Sequence, residues 1–230
     1  MRTSTLKRWT IGLALLALLL AVLGGLIWGG ITSWAPSRKD YPVQGLYVSA
    51  ADGDLAWPTL AAMGADFAYV RASAGGKLRD PRFAANIKGG LASGMRVGAV
   101  HEFSLCAGEA QQAEQFITTV PRDPAMLPPV VSLDLDEACK TRPDRAMLLG
   151  ELNTFINQIE NHAGKPALLR ITPEFESAYQ ISDGLSRTVW LIGDFVPPDY
   201  AAKRWVMWQS SDFYRINGAP QGVRWNVVRP

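Results

Sequence analysis

The order of apolar and polar positions divides the chain into three parts. Residues 11–31 carry no charge and are mostly apolar, which predicts a helix long enough to cross a hydrocarbon core about 30 Å thick. Residues 32–42 are mostly polar and include two prolines, and their apolar residues show no regular spacing, which indicates a linker. From Val43 onward, short apolar runs alternate with stretches of helical periodicity.

This alternation predicts one α/β domain over residues 43–230. Repeated strand and helix units of this kind are typical of a parallel sheet or barrel, whose functional end lies at the carboxyl ends of the strands. Each helix follows a strand, and several begin with proline in the first turn. The predicted strands are 45–50, 67–73, 96–104, 130–136, 167–171, 189–194 and 205–210. The predicted helices are 57–63, 81–93, 108–119, 143–162 and 173–179.

The charges that flank the apolar segment predict its orientation. Arg2, Lys7 and Arg8 precede it, so the positive-inside rule keeps residues 1–10 in the cytoplasm. We therefore expect a single-pass anchor in the inner (cytoplasmic) membrane, with the domain on the extracytoplasmic, periplasmic side. The alternative is a cleaved signal peptide, but the apolar run exceeds the usual core of roughly 7 to 15 residues.

Composition narrows the choice of partners. Lysine plus arginine outnumber aspartate plus glutamate by 23 to 21, and no long run of like charge occurs, so a nucleic-acid partner is not expected. After the apolar segment about 190 residues remain, which suffices for one domain with a sizeable core.

The sequence contains two cysteines, Cys106 and Cys139, both after the apolar segment. An oxidising compartment favours a disulfide between them, and each follows a predicted strand at the same end of the fold. The alternative is a pair of buried thiols, because disulfide geometry is demanding.

The period of two in the strands predicts which side chains face inward. A mouth of aromatic and polar groups would suit a sugar polymer, since rings stack on pyranose faces and polar groups fix hydroxyls. Paired inward carboxylates would indicate chemistry, and the alternative is a structural hydrogen-bond network. The residues predicted to face inward are Tyr47, Ser49, Tyr69, Arg71, Ser73, His101, Phe103, Ser132, Asp134 and Asp136.

Neither a metal nor a cofactor is predicted. The second histidine, His162, falls at the end of a predicted helix, far from His101, so no ligand cluster forms. A nucleophilic set of Ser104, Ser132 and His101 stays an alternative, although no Gly-x-Ser-x-Gly elbow accompanies it.

Several motifs, in order, resemble those of the family 25 glycoside hydrolases, the peptidoglycan-cleaving muramidases. The run 45–49 is similar to Gly-Ile-Asp-Val-Ser, and 53–57 to the Gly-x-Ile-Asp-Trp that follows it. The run 67–73 resembles Phe-Ala-Phe-Ile-Lys-Ala-Thr, and 98–103 resembles Gly-Ala-Tyr-His-Phe-Phe. Further similar segments are 80–86, 112–116, 127–131, 208–210 and 223–227. The resemblance implies an irregular TIM-like (β/α) barrel.

The same resemblance implies that catalytic acids have been replaced. The family's Asp-x-Glu falls on Ser132 to Asp134, Tyr47 stands where the first strand carries Asp, and Arg224 replaces an aspartate near the C-terminus. A shift of two residues would instead align Asp134 and Asp136 with Asp-x-Glu as the catalytic pair. The shift needs an insertion inside a strand, which forms a bulge.

Two main hypotheses follow, together with the alternative of an unrelated barrel. The first is a muramidase-like domain with reduced or lost hydrolysis that binds glycan strands, muropeptides or an unidentified protein partner. The second is an active N-acetylmuramidase that uses Asp134 and Asp136. Under both, the expected ligand-binding residues are Tyr47, Tyr69, Arg71, His101, Ser132, Trp208 and Arg224.

Overall fold

The computed structural model describes the backbone of residues 2–230 and the side chains of Trp9 and residues 12–230. The chain forms two compact units, Met1–Trp34 and Ala35–Pro230. The first unit contains helix α1 (Arg2–Thr32). Its segment Gly12–Thr32 has a mean hydropathy of 2.4, and it is long and apolar enough to span a membrane. A signal sequence near the N-terminus has the same length and composition. The side chains of Arg2, Lys7 and Arg8, on which the predicted orientation depends, lie outside the described set.

The second unit is a closed barrel. The sheet order is β1-β9-β8-β7-β6-β5-β4-β2-β3, and β1 pairs with β2, so eight strands close and β3 is an appendage of β2. Strand β9 is antiparallel to both of its neighbours, whereas the other barrel pairings are parallel. The strands are β1 (Gln44–Val48), β2 (Phe67–Ala74), β3 (Leu78–Arg79), β4 (Arg96–Phe103), β5 (Val130–Leu133), β6 (Leu168–Ile171), β7 (Thr188–Ile192), β8 (Trp205–Tyr214) and β9 (Val223–Val228).

The helices of this unit connect the parallel strands. They are α2 (Trp57–Ala62), α3 (Phe83–Ala92), α4 (Glu109–Thr119), α5 (Arg145–Ala163), α6 (Pro173–Tyr179) and α7 (Ile181–Gly184). The longest, α5, begins where Asp144 accepts the backbone N–H of Met147 at 2.9 Å, and it ends at Gly164, whose φ of 67° suits glycine.

The barrel interior has an apolar layer below a polar one. Apolar and aromatic side chains from every parallel strand of the barrel fill its centre. This layer consists of Tyr47, Phe67, Tyr69, Val100, Val130, Leu168, Trp190 and Met207. On β2, β4, β5, β6 and β8 the next inward residue is polar or charged, and these residues form the floor of the mouth at the carboxyl ends: Arg71, Glu102, Ser132, Arg170 and Gln209.

The α/β barrel prediction is confirmed, with differences at particular strands. Strand β9 was not predicted, although it closes the barrel between β1 and β8. Strand β5 ends at Leu133 rather than at residue 136, because Asp134 and Asp136 each accept a backbone N–H of their own loop. Such local hydrogen bonds compete with the strand ladder.

The predicted inward placement was wrong for three residues on two strands, Ser73 on β2 and His101 and Phe103 on β4. The register of β2 against β4 skips Ala72, and this bulge turns Ser73 away from the barrel interior. On β4 the inner face carries Val100 and Glu102, so His101 and Phe103 point outward, where both rings contact Phe155 of α5. On β4 the predicted alternation therefore has the right period, but it assigns the wrong residues to the inner face.

The predicted disulfide is confirmed. Cys106 and Cys139 are bonded, with 5.8 Å between their Cα atoms. They lie in the loops that follow β4 and β5, which are neighbouring parallel strands, so the bridge ties two adjacent loops at the mouth.

Candidate functional site

The polar layer at the carboxyl ends of the strands is the candidate site. Glu102, Ser132 and Arg170 are successive register partners on β4, β5 and β6, so their side chains stand in one row. Tyr47 and Arg224 are partners on β1 and β9, on the other side of the mouth. We call this set, with Arg71 and Gln209, the mouth cluster.

The carboxylate of Glu102 accepts hydrogen bonds from two other members of the mouth cluster. Glu102 accepts the Tyr47 hydroxyl at 2.7 Å through Oε1 and Arg71 Nη1 at 3.1 Å through Oε2. Arg71 also donates from Nε to the buried Asp80 at 3.0 Å. Burial raises the pKa of Tyr47, and the nearby charge of Glu102 raises it further, so this hydroxyl is a hydrogen-bond donor at neutral pH.

Arg224 covers the Tyr47 ring. Its guanidinium carbon lies 3.8 Å from the ring centroid, a cation–π contact. Its Nη2 is 3.4 Å from Asp52 Oδ2 and 3.5 Å from Ser49 Oγ, so its ion pair is long. The side chain is 20% exposed.

Arg170 forms the floor of the mouth cluster. Nη1 donates to Ser132 Oγ at 2.9 Å and Nη2 donates to Gln209 Oε1 at 2.7 Å. Its guanidinium carbon lies 5.1 Å from the centroid of Tyr47. Burial lowers the pKa of Arg170, because its charge has been removed from water.

The two aspartates proposed from the sequence lie at the rim rather than on a strand. Asp134 is exposed and accepts the Thr172 hydroxyl at 3.3 Å, and its Oδ1 also accepts the N–H of Leu135. Asp136 is exposed and accepts the N–H of Ala138 at 2.8 Å. The shared strand face on which their pairing was argued is therefore absent, since β5 has already ended.

His101 does not face the mouth cluster. Its ring is fully buried between α4 and α5, with Nε2 3.2 Å from Gln112 Oε1 and Nδ1 2.9 Å from Ser73 Oγ. Because Gln112 Oε1 also accepts the N–H of Ser104, Nε2 carries the hydrogen and Nδ1 accepts from Ser73. The predicted inward placement of His101, and its grouping with Ser132 as a nucleophilic set, were wrong.

The predicted aromatic walls are buried as well. Tyr69 is 2% exposed and packs against Phe67 and Trp190 in the apolar layer. Trp208 is 1% exposed, contacts Tyr41, and donates to the carbonyl of Gly193 at 2.5 Å. Neither ring offers a face on which a sugar could stack.

Three members of the mouth cluster and one exposed ring were not predicted from the sequence. Glu102, Arg170 and Gln209 each follow an apolar residue of the barrel interior by two positions, so this spacing could have found them. A charged or amide side chain inside an apolar strand run was the available signal. Phe195, in the loop after β7, is 37% exposed and contacts Phe213.

Comparisons with known proteins agree with this barrel. The family model Glycosyl hydrolases family 25 matches residues 47–219. The Escherichia coli protein YegX is 26% identical over 194 residues, which are 81% of this chain and 70% of YegX. A family 25 glycosyl hydrolase from Bacillus anthracis superposes with a TM-score of 0.78 and 28% identity, covering 86% of this chain and 92% of its own. The bacterial lysozyme from Streptomyces coelicolor shares the fold at a TM-score of 0.73 and 23% identity, covering 81% of this chain and 91% of its own. Since the family model spans most of the barrel, the chain belongs to family 25 of the glycosyl hydrolases.

Proposed function

We propose that the mouth of the barrel binds the glycan strands of peptidoglycan and hydrolyses them slowly or not at all. Family membership and the fold shared with a bacterial lysozyme support the ligand class. The proposal on chemistry rests on one observation: Ser132, aligned with the first catalytic acid, accepts a hydrogen bond from Arg170 instead of presenting a carboxylate.

The charges around that position support slow chemistry. Glycoside hydrolysis develops positive charge on the sugar ring. One carboxyl group protonates the leaving glycosidic oxygen, and a second carboxylate at a set separation stabilises the charge or acts as base or nucleophile. The mouth cluster instead contains three arginines, Arg71, Arg170 and Arg224, and the carboxylate of Glu102 is already bonded to Tyr47 and Arg71. Recognition needs only polar groups and shape, so binding can persist where catalysis does not.

An active N-acetylmuramidase is the second candidate function. Asp134 and Asp136 are both exposed at the rim and within two residues of each other, so both carboxyl groups are accessible to a glycan. The two candidates share a binding surface and differ in turnover.

Binding is tested with the full-length protein in detergent and purified, insoluble peptidoglycan. We expect the protein to cosediment, and Asp134→Ala to weaken binding by about 2- to 10-fold, because one hydrogen bond contributes about 0.5–1.5 kcal/mol. Asp123→Ala is the matched control, since Asp123 also accepts a backbone N–H of its own loop but lies before β5, at the other end of the barrel. Absence of cosedimentation contradicts the proposal.

We also propose that the apolar segment is retained as an anchor, so that the barrel acts on the extracytoplasmic face of the membrane. The segment Gly12–Thr32 is longer than the core of a usual signal peptide, and the disulfide suits an oxidising compartment. Fractionation with mass determination should find the intact chain in the membrane. A soluble mature form that begins near residue 35 would show cleavage instead.

A further inference from the structure

A cavity lies at the amino ends of the strands, at the end of the barrel opposite the mouth cluster. Its lining includes the first residues of β2 and β4 and the last residue of the antiparallel β9. Its volume is about 390 Å³, within the range of roughly 300–1,000 Å³ that is usual for small-molecule sites. We call five of its lining residues the apolar wall: Val43, Phe67, Leu127, Met207 and Val228.

Two strand positions at this end carry no side chain. Gly45 is the register partner of Phe67, and Gly98 is the register partner of Tyr69. A Cβ atom at Gly45 would lie 2.7 Å from the Phe67 ring, and one at Gly98 would lie 2.3 Å from the Tyr69 ring. The two rings of β2 therefore pack over glycines, and β1 and β4 contribute no side chain here that could fill the cavity.

The hydroxyl of Tyr69 is a buried polar group at this cavity. Tyr69 is 2% exposed and lines the cavity, and its hydroxyl makes no hydrogen bond within the described part of the chain. The hydroxyls of Tyr47 and Tyr200, in contrast, are both hydrogen-bonded. Unlike the indole N–H of Trp190, the Tyr69 hydroxyl is not wholly enclosed by protein atoms. A buried hydroxyl without a partner destabilises the fold unless a ligand or water completes it.

Arg96 adds a positive charge beside this hydroxyl. It is exposed, lines the cavity and forms no ion pair among the side chains that the structure describes. Burial raises the pKa of Tyr69, and the charge of Arg96 opposes that effect, so the two groups are close. Asp66, the acid that also lines the cavity, is bonded to Arg38 at 2.6 Å and accepts the N–H of Gln44 at 2.9 Å. The charge of Asp66 is therefore already offset, and that of Arg96 is not.

This combination of groups matches an amphiphile with an anionic head. A guanidinium binds a carboxylate through charge-assisted hydrogen bonds, and a tyrosine hydroxyl can donate to the same group. The apolar wall would remove a hydrocarbon chain from water. Because the volume is near the lower end of the usual range, the cavity holds one chain rather than the two of a phospholipid.

We propose that this cavity binds a single-chain fatty acid, with its carboxylate on Arg96 and Tyr69 and its chain along the apolar wall. The site lies at the other end of the barrel from the mouth cluster, so the inference does not rest on the proposed function.

The experiment is photolabelling of the full-length protein, in a neutral detergent, with dodecanoate that carries a diazirine. Mass spectrometry of the peptides locates the label. Label within Gly12–Thr32 reports probe dissolved in the micelle, whereas label on the apolar wall reports the cavity. We expect unlabelled dodecanoate to compete for the cavity at least about 10-fold more effectively than dodecanol, the effect of a hydrogen bond between charged groups.

Two variants test the head-group contacts. Arg96→Gln should remove the preference for dodecanoate over dodecanol. Tyr69→Phe should weaken dodecanoate binding about 2- to 10-fold, and it should raise the melting temperature of the ligand-free protein, because it removes a buried hydroxyl without a partner. A lower melting temperature would mean that the hydroxyl is structural and would contradict the inference. Arg215→Gln is the matched control, since Arg215 is an exposed arginine just after β8, at the other end of the barrel.

The competitors also distinguish other occupants. Equal competition by dodecanoate and dodecanol overturns the anionic head group, and stronger competition by phosphatidylglycerol overturns the single chain. Label confined to Gly12–Thr32 overturns the site itself. Arg96→Gln should cosediment with peptidoglycan as the wild type does, so failure of this inference leaves the proposed function intact. Absence of cosedimentation together with dodecanoate labelling of the apolar wall overturns only the proposed function.

Discussion

Purified wild-type protein is expected to release reducing ends from peptidoglycan at least about 100-fold more slowly than an active family 25 lysozyme. The alignment puts Asp134 where the family has glutamate, and the missing methylene withdraws the carboxyl by roughly 1.5 Å, a misplacement that costs about 10²-fold. Ser132 supplies no second carboxylate, and it is bonded to Arg170. The assay is reducing-end release at neutral pH, with an active family 25 lysozyme measured in parallel.

Restoring the family pattern should raise that rate. We expect Ser132→Asp with Asp134→Glu to gain at least about 10-fold, because the pair regains both carboxyl groups and the reach of the acid. Ser132→Asn with Asp134→Gln is the matched control, since it has similar volume and no charge, and it should gain nothing. Adding Tyr47→Asp completes the pattern, but that residue is fully buried below Arg224, so the triple variant needs a check of its fold.

The hypothesis that Asp134 and Asp136 are the catalytic pair predicts the opposite result. If Asp134 and Asp136 are catalytic, the wild type hydrolyses peptidoglycan at rates typical of muramidases, and Asp134→Asn with Asp136→Asn removes the activity. That result would contradict slow hydrolysis and establish the second candidate function.

The barrel was predictable because its signals are local and repeated. The strands β1, β2, β4, β5 and β6 are short apolar runs, and a helix lies between each of them and the next parallel strand, with a proline in the first turn of α6. Strand β9 also alternates apolar and polar residues, but its pairing with β1 joins residues almost at opposite ends of the domain, so its place in the barrel could not be predicted from the local pattern. Closure of the barrel depends on this long-range pairing between β1 and β9.

The mouth was predicted less well, because it depends on the phase of each strand. A single bulge at Ala72 reverses every later residue of β2, and no local pattern reveals it. On β4, polarity suggested that His101 faced the mouth, whereas α4 and α5 supply the hydrogen-bond partner and rings that let a histidine lie outside the barrel. Correcting that phase brings Glu102 into the site and removes His101.

The outward burial of His101 has a consequence for stability at low pH. Burial lowers the pKa of His101 from its ordinary value of 6.5 to about 4, against smaller opposing effects of Gln112 and Glu102. Because the folded value lies below the unfolded one, the unfolded chain binds the additional proton between these pH values. The stabilising effect is complete above pH 6.5 and is lost as the pH falls toward 4.

The free energy of unfolding should therefore fall by about 3 kcal/mol from this group alone, since each unit of pKa difference corresponds to 1.36 kcal/mol. Urea unfolding of the oxidised protein between pH 7 and pH 4 measures the change, and His101→Gln separates it from the titration of carboxylates. That variant should be less stable at pH 7, because Ser73 and Gln112 lose their partner, yet its stability should depend less on pH.

His162→Gln is the control: His162 ends α5, where Nε2 lies 2.7 Å from the carbonyl of Val120, and the variant should keep the wild-type pH dependence. An unchanged slope in His101→Gln would contradict this prediction, because it would mean that the buried imidazole is not the group that titrates.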